Sequence, residues 1–203
     1  MRDALTIDPT SHFRLFVLKD FFDQHTCEQI LTEMRSGQGD PATVYGQNLS
    51  GLVNDGVRRA VRYKPSLETV ELVKRKLLEC KPDVERNFEV SLSDCEEPQF
   101  LRYRVGDFFV AHQDGNTGLL RLDTENRLVS VVIFLNHQSE TPKDGAYCGG
   151  SLTFHDWRPI PNQEEDLSLA GETGTLVAFR SETTHEVTPV THGERFSIAC
   201  WYS

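Results

Sequence analysis

The chain has 203 residues, 38% of them apolar and 26% charged, with a formal net charge of −10. That length suits one compact domain spanning 1–203 with its own core. The acidic balance disfavours nucleic-acid backbones and anionic membrane surfaces, and no apolar run approaches the roughly 20 residues of a spanning helix.

The first residues, MRDALTIDPTSHFRLF, lack the apolar stretch and small-residue cleavage site of a signal peptide. RLFVLKDFF at 14–22 is an extended apolar entry. A helix follows near Asp23 to Arg35, because Cys27, Ile30, Leu31 and Met34 recur on one face at helical spacing. Ser36 to Pro65 is rich in Gly, Asn, Asp and Pro, as a long surface loop with short strands would be. A second helix is predicted from about Ser66 to Cys80. Ser66 is its N-cap, Glu68 and Glu71 lie in the first turns, and Leu67, Val70, Val73, Leu77 and Leu78 form the apolar stripe.

From Phe88 the character becomes β. FEVSL, QFLRY, DFFVAHQD, RLVSVVIFLN, GSLTFHDW, GTLVAFR, HEVTPV and RFSIACWY are short, rich in β-branched or aromatic residues, and separated by turn formers. Consecutive strands without intervening helices predict a mainly β (α+β) fold. It is a sandwich or barrel of the jelly-roll kind over about 88–203, with two or more packing helices from about 1–87. The five cysteines, Cys27, Cys80, Cys95, Cys148 and Cys200, form no C-x-x-C pair. Reduced, buried thiols in the cytoplasm are expected.

His112-Gln113-Asp114 carries the first chemistry. Residues two apart on a strand project to the same side, so His112 and Asp114 can offer an imidazole and a carboxylate to one ion. In the C-terminal stretch THEVTPVTHGERFSIACWY, a hairpin loop Thr191-His192-Gly193 would pair Val190 with Glu194, Val187 with Ser197 and His185 with Ala199. His185, Arg195 and Ser197 then share a face. Two histidines and one carboxylate leave three positions open on an octahedral iron. A bidentate 2-oxo acid and dioxygen fill those positions, and Arg is the fitting cation for a distal carboxylate.

FLRYRVGDFFVAHQD, VSVVIFLN, GGSLTF and GTLVAFRSETTHEVTPVTHGERFSIACWY resemble, in order and spacing, the catalytic core of the prolyl 4-hydroxylase group of 2-oxoglutarate and iron(II)-dependent dioxygenases. The resemblance covers about residues 99–203 and implies a double-stranded β-helix. It implies His112, Asp114 and His185 as Fe(II) ligands and Arg195 as partner of the distal carboxylate of 2-oxoglutarate. Tyr103 would contact that co-substrate from the opposite wall, and Ser197 would add a hydroxyl. O2 is the oxidant, with ascorbate as an accessory. Relatives that act on hypoxia-inducible factors carry a tyrosine where Phe134 stands here, and collagen-type relatives carry Lys in place of Arg195. The implied reaction is hydroxylation of an unactivated C–H bond on a prolyl residue or a related amino-acid or peptide substrate. A small-metabolite hydroxylase and a silent sensor binding metal or 2-oxo acid are the alternatives. Arg58, Arg59 and Arg62, on an exposed strand, are candidate substrate contacts. The Ser36–Pro65 loop and the Gly115–Arg127 stretch would line the entrance. No nucleic-acid or membrane partner is expected.

Overall fold

The structure, a computed structural model, describes residues 13–44, 52–115, 126–155 and 166–203. Much of the predicted entrance, 45–51 and 116–125, lies outside the described residues. The described strands are β1 (Leu15–Leu18), β2 (Gly39–Pro41), β3 (Arg58–Arg59), β4 (Val61–Tyr63), β5 (Gln99–Tyr103), β6 (Phe108–His112) and β7 (Val129–Phe134). They continue with β8 (Cys148–Gly149), β9 (Leu152–His155), β10 (Asp166–Leu169), β11 (Leu176–Arg180), β12 (His185–Val187), β13 (Val190–His192) and β14 (Arg195–Tyr202). The helices are α1 (Gln24–Ser36) and α2 (Leu67–Phe88).

Two antiparallel sheets form the jelly-roll. The larger has the order β1-β11-β7-β14-β5-β4-β2 and the smaller β10-β9-β12-β6-β3. Side chains alternate across the larger sheet with the strand period of two. On β14, Phe196, Ile198, Cys200 and Tyr202 are buried in a core shared with Cys27, Ile30 and Met34 of α1 and Val73, Leu77, Val84 and Phe88 of α2. Arg195, Ser197, Ala199 and Trp201 face the opposite way, into a cavity between the sheets. The helices therefore seal one face of the large sheet and leave the other free to carry polar chemistry.

Asp23 caps α1, its side chain accepting from the Thr26 amide at 2.7 Å. Ser66 caps α2 in the same way through Thr69. The second helix runs eight residues beyond the predicted Cys80 limit, through Pro82. Its true stripe, Val73, Leu77, Cys80, Val84 and Phe88, continues past the proline, so packing outweighs the lost backbone bond. Leu67 and Leu78, expected on that stripe, are exposed. FEVSL is not a strand: Phe88 ends the helix and Glu89 takes the left-handed C-cap conformation at φ 55°. The short strands expected within Ser36–Pro65 are Gly39–Pro41, Arg58–Arg59 and Val61–Tyr63, whereas Cys148–Gly149 and Asp166–Leu169 are strands that the pattern did not reveal.

The predicted hairpin between His185 and Arg195 does not form. β12 pairs with β6 and β9, whereas β14 pairs with β5 and β7, and β13 pairs with β8. Pro189, with no N–H to give a ladder, lies where the chain leaves the small sheet. Thr188 donates to Ser151, Val190 to Asp107, and Gly106 back to Val190. Gly193, at φ 69°, then turns the chain into the large sheet.

Candidate metal centre

His112 and His185 are direct cross-strand partners on β6 and β12. Each ring contacts its own chain two residues back through Nδ1: His112 meets the Val110 carbonyl at 2.8 Å and His185 the Thr183 carbonyl at 3.0 Å. A carbonyl only accepts, so Nδ1 carries the proton and Nε2 keeps its lone pair. Both Nε2 atoms point at Asp114, just beyond the end of β6: His112 lies 3.5 Å from Oδ1 and His185 3.5 Å from Oδ2. The ligand atoms of the three residues lie within 4.8 Å of one another.

The carboxylate is fixed from behind. Ser130 on β7 donates its hydroxyl to Asp114 Oδ2 at 2.7 Å, and Ser181 lies 3.0 Å from Ser130 Oγ. Asp114 N–H donates to the Ser181 carbonyl at 2.9 Å. Burial opposes ionisation of Asp114. The His185 and His112 rings, once protonated, favour the charged form and outweigh it, holding the carboxyl well below its ordinary range. Burial pushes the His185 imidazole down to about 4, helped by the charge of His112, so it is neutral at physiological pH. The Phe109 ring stacks on His112 with centroids 3.6 Å apart, and Phe179 meets His185 edge-on at 4.6 Å.

Arg195 lines the same cavity from the large sheet. It is 1% exposed, yet it pairs with no carboxylate among the described residues. Its Nη1 donates to Ser197 Oγ at 2.9 Å, and its Nε has no partner among the described residues. The guanidinium carbon lies 5.1 Å from the Tyr103 ring centroid and 5.3 Å from that of Phe134. Tyr103 is the direct cross-strand neighbour of Arg195, so it belongs to the same wall and not to the opposite one.

The cavity measures about 180 Å³. That is below the ~300–1,000 Å³ of sites for drug-sized ligands and suits a small acid. Two imidazoles and a carboxylate form a donor set for a divalent first-row metal. A buried cation without a counter-ion among the described residues fits a dianionic ligand.

A profile of the 2OG-Fe(II) oxygenase superfamily matches residues 98–203. The chain belongs to this superfamily. The superfamily uses iron(II), 2-oxoglutarate and dioxygen, and its matched region holds every candidate ligand and Arg195. This oxygenase is 35% identical over 109 residues to a PKHD-type hydroxylase of Shewanella oneidensis, covering 51% of the chain and 41% of that protein. A PKHD-type hydroxylase of Paracoccus denitrificans is 33% identical over 109 residues, with the same coverage. The alignment thus spans about two fifths of the length of these curated relatives. In fold, the oxygenase resembles a Pseudomonas putida prolyl-4-hydroxylase, with a TM-score of 0.68 and 22% identity over 97% of this chain and 96% of that one. It also resembles a Trichoplax adhaerens prolyl hydroxylase in complex with a hypoxia inducible factor peptide, with a TM-score of 0.67 and 18% identity over 94% and 84%.

Of the three candidate substrate arginines, only Arg58 lines the cavity. It is buried, not exposed, and lies over the Phe109 ring at 4.6 Å while donating to the Thr43 carbonyl. Arg59 lies over Phe108, and Arg62 sits 3.8 Å from Glu97. Ser130, Trp201 and Arg127 also belong to the site, and the sequence reading did not include them. Trp201 follows from the parity of Arg195 and Ser197 on β14, and it too favours ionised Asp114. Arg127, stacked on Trp201 at 3.9 Å and forked onto Glu96, gave no sequence signal.

Proposed function

We propose that this protein is a hydroxylase that uses iron(II), 2-oxoglutarate and dioxygen to hydroxylate an unactivated C–H bond. The substrate is a prolyl residue or a related amino acid or peptide. One observation carries the reading: His112, Asp114 and His185 converge within 4.8 Å, in a cavity whose other wall presents the buried cation Arg195.

His112, Asp114 and His185 would hold the iron, which with 2-oxoglutarate and dioxygen would supply the oxidising power for C–H cleavage, with succinate and carbon dioxide as co-products. The protein's own contribution is positional. The Val110 and Thr183 carbonyls fix both imidazoles with Nε2 inward, and Ser130 sets the rotation of Asp114. Arg195, held by Ser197, receives the far carboxylate of the keto-diacid beside Tyr103. Phe109 and Phe179 shield the histidines from water. Arg58, which lines the cavity, meets the substrate. The reading places the reaction in a single domain in the cytosol, where its five buried free thiols would stay reduced.

The test is succinate formation from 2-oxoglutarate, measured with a panel of proline-containing peptides and free amino acids. Stimulation by one member, lost in His112→Ala and Asp114→Ala, is expected. Turnover retained in both variants would refute the ligand assignment.

A further inference from the structure

Beside Arg195 lies a second buried polar group that the reading above does not use. Tyr147, immediately before β8, is fully buried, and its hydroxyl donates to no acceptor among the described residues. Its backbone is pinned on both sides: its N–H donates to the His137 carbonyl and its own carbonyl accepts from Ser139. The backbone is therefore held in place, and the ring on it is enclosed away from solvent.

Two glycines shape the space around it. A Cβ at Gly150 would come 3.1 Å from Arg195 Cδ and 3.4 Å from Tyr147 Cε2, so the backbone there passes close to both side chains. A Cβ at Gly171 would collide with the Tyr147 hydroxyl and press on Phe134. Arg195, Phe134 and Tyr147 thus meet around one point, with the small residues making room for them. The phenol responds to that neighbourhood: burial raises its pKa, while the charge and hydrogen bonding of Arg195 pull the other way.

Both groups are donors, and neither has a carboxylate acceptor among the described residues; buried donors left without an acceptor are costly. Phe134, the other ring against the guanidinium, has no polar atom to offer. We propose that Tyr147 Oη donates a hydrogen bond to the far carboxylate of 2-oxoglutarate, completing with Arg195 and Ser197 the seat for that group. This inference rests on the co-substrate reading above and adds a binding residue to it.

The experiment measures binding by calorimetry to the full chain loaded with Mn(II) in place of iron. Two probes are used: 2-oxoglutarate, and pyruvate, which keeps the chelating keto-acid end but has no far carboxylate. Tyr147→Phe removes only the hydroxyl, and a lost bond to a charged acceptor should weaken 2-oxoglutarate about 10- to 100-fold. Pyruvate affinity and Mn(II) affinity should stay within about twofold, since neither involves that hydrogen bond. Gly171→Ala, which crowds the hydroxyl out of place, should reproduce the same selective loss. Unchanged 2-oxoglutarate affinity in Tyr147→Phe, or an equal loss for pyruvate, overturns the assignment. A wild-type protein that binds 2-oxoglutarate no better than pyruvate overturns the co-substrate reading beneath it.

Discussion

His185 and Arg195 reach one cavity from opposite sheets, His185 from β12 and Arg195 from β14, although ten positions separate them in the chain. The strap from Thr188 to Glu194 carries the chain from one wall to the other. The two histidine ligands and the cation are therefore carried by different sheets, and their contributions should be separable by mutation.

Arg195→Ala should weaken 2-oxoglutarate binding by about 2–5 kcal/mol, the usual cost of truncating one partner of a buried charge pair. Metal affinity should not change, because the three ligand residues sit on the other wall and its end. Titrating Mn(II) and then 2-oxoglutarate into the variant checks both. An unchanged co-substrate affinity would remove Arg195 from the site.

Ser130→Ala deletes the 2.7 Å hydrogen bond that orients Asp114. Removal of a partner that orients a metal ligand lowers metal affinity about 10- to 100-fold. Competition against a chelator of known strength measures it. Ser181→Ala, one step further from the carboxylate, should do less.

Arg58→Ala should raise the KM of the prime substrate, since Arg58 alone of its basic cluster lines the cavity. Arg59→Ala should leave it unchanged. Equal effects from both would point to general electrostatics instead of a contact.

Helix α2 offers a stability test between pattern and packing. Leu77 is fully buried and Leu67 is 80% exposed, although both fit the predicted stripe. Leu77→Ala should cost about 2–5 kcal/mol and Leu67→Ala no more than about 0.5 kcal/mol, read from urea unfolding midpoints.

Burial, with a contribution from the charge of Asp23, pushes the Cys27 thiol from 9.0 up to about 11. Between those values the native state keeps a proton that the unfolded chain has released. Stability is therefore unaffected below pH 9 and falls as pH rises from 9 to about 11. Unfolding curves across that range should show a shallower decline in Cys27→Ala than in the wild type.

The alternation on QFLRY and RFSIACWY was legible because one face packs on helices and the other on a cavity, so the period of two is strict. His112, Asp114, His185 and Arg195 were legible as residue types at particular spacings. The path between His185 and Arg195 was not. The Thr191-His192-Gly193 turn satisfies hairpin chemistry locally, and only the pairing of β12 with β6 and β9 rules the hairpin out. Helix α2 was cut short because Pro82 is a local stop signal that long-range burial of Val84 and Phe88 overrides. Tyr147 sits beside a two-residue strand whose partner is β13, a pairing too short to leave a pattern.

Two packed sheets stand roughly 10 Å apart, a separation set by the side chains between them. A ligand gripped at one end from the small sheet and at the other from the large one is measured by that gap as by a calliper. Such a frame would discriminate among keto-diacids by length, disfavouring oxaloacetate, one methylene too short, and 2-oxoadipate, one too long.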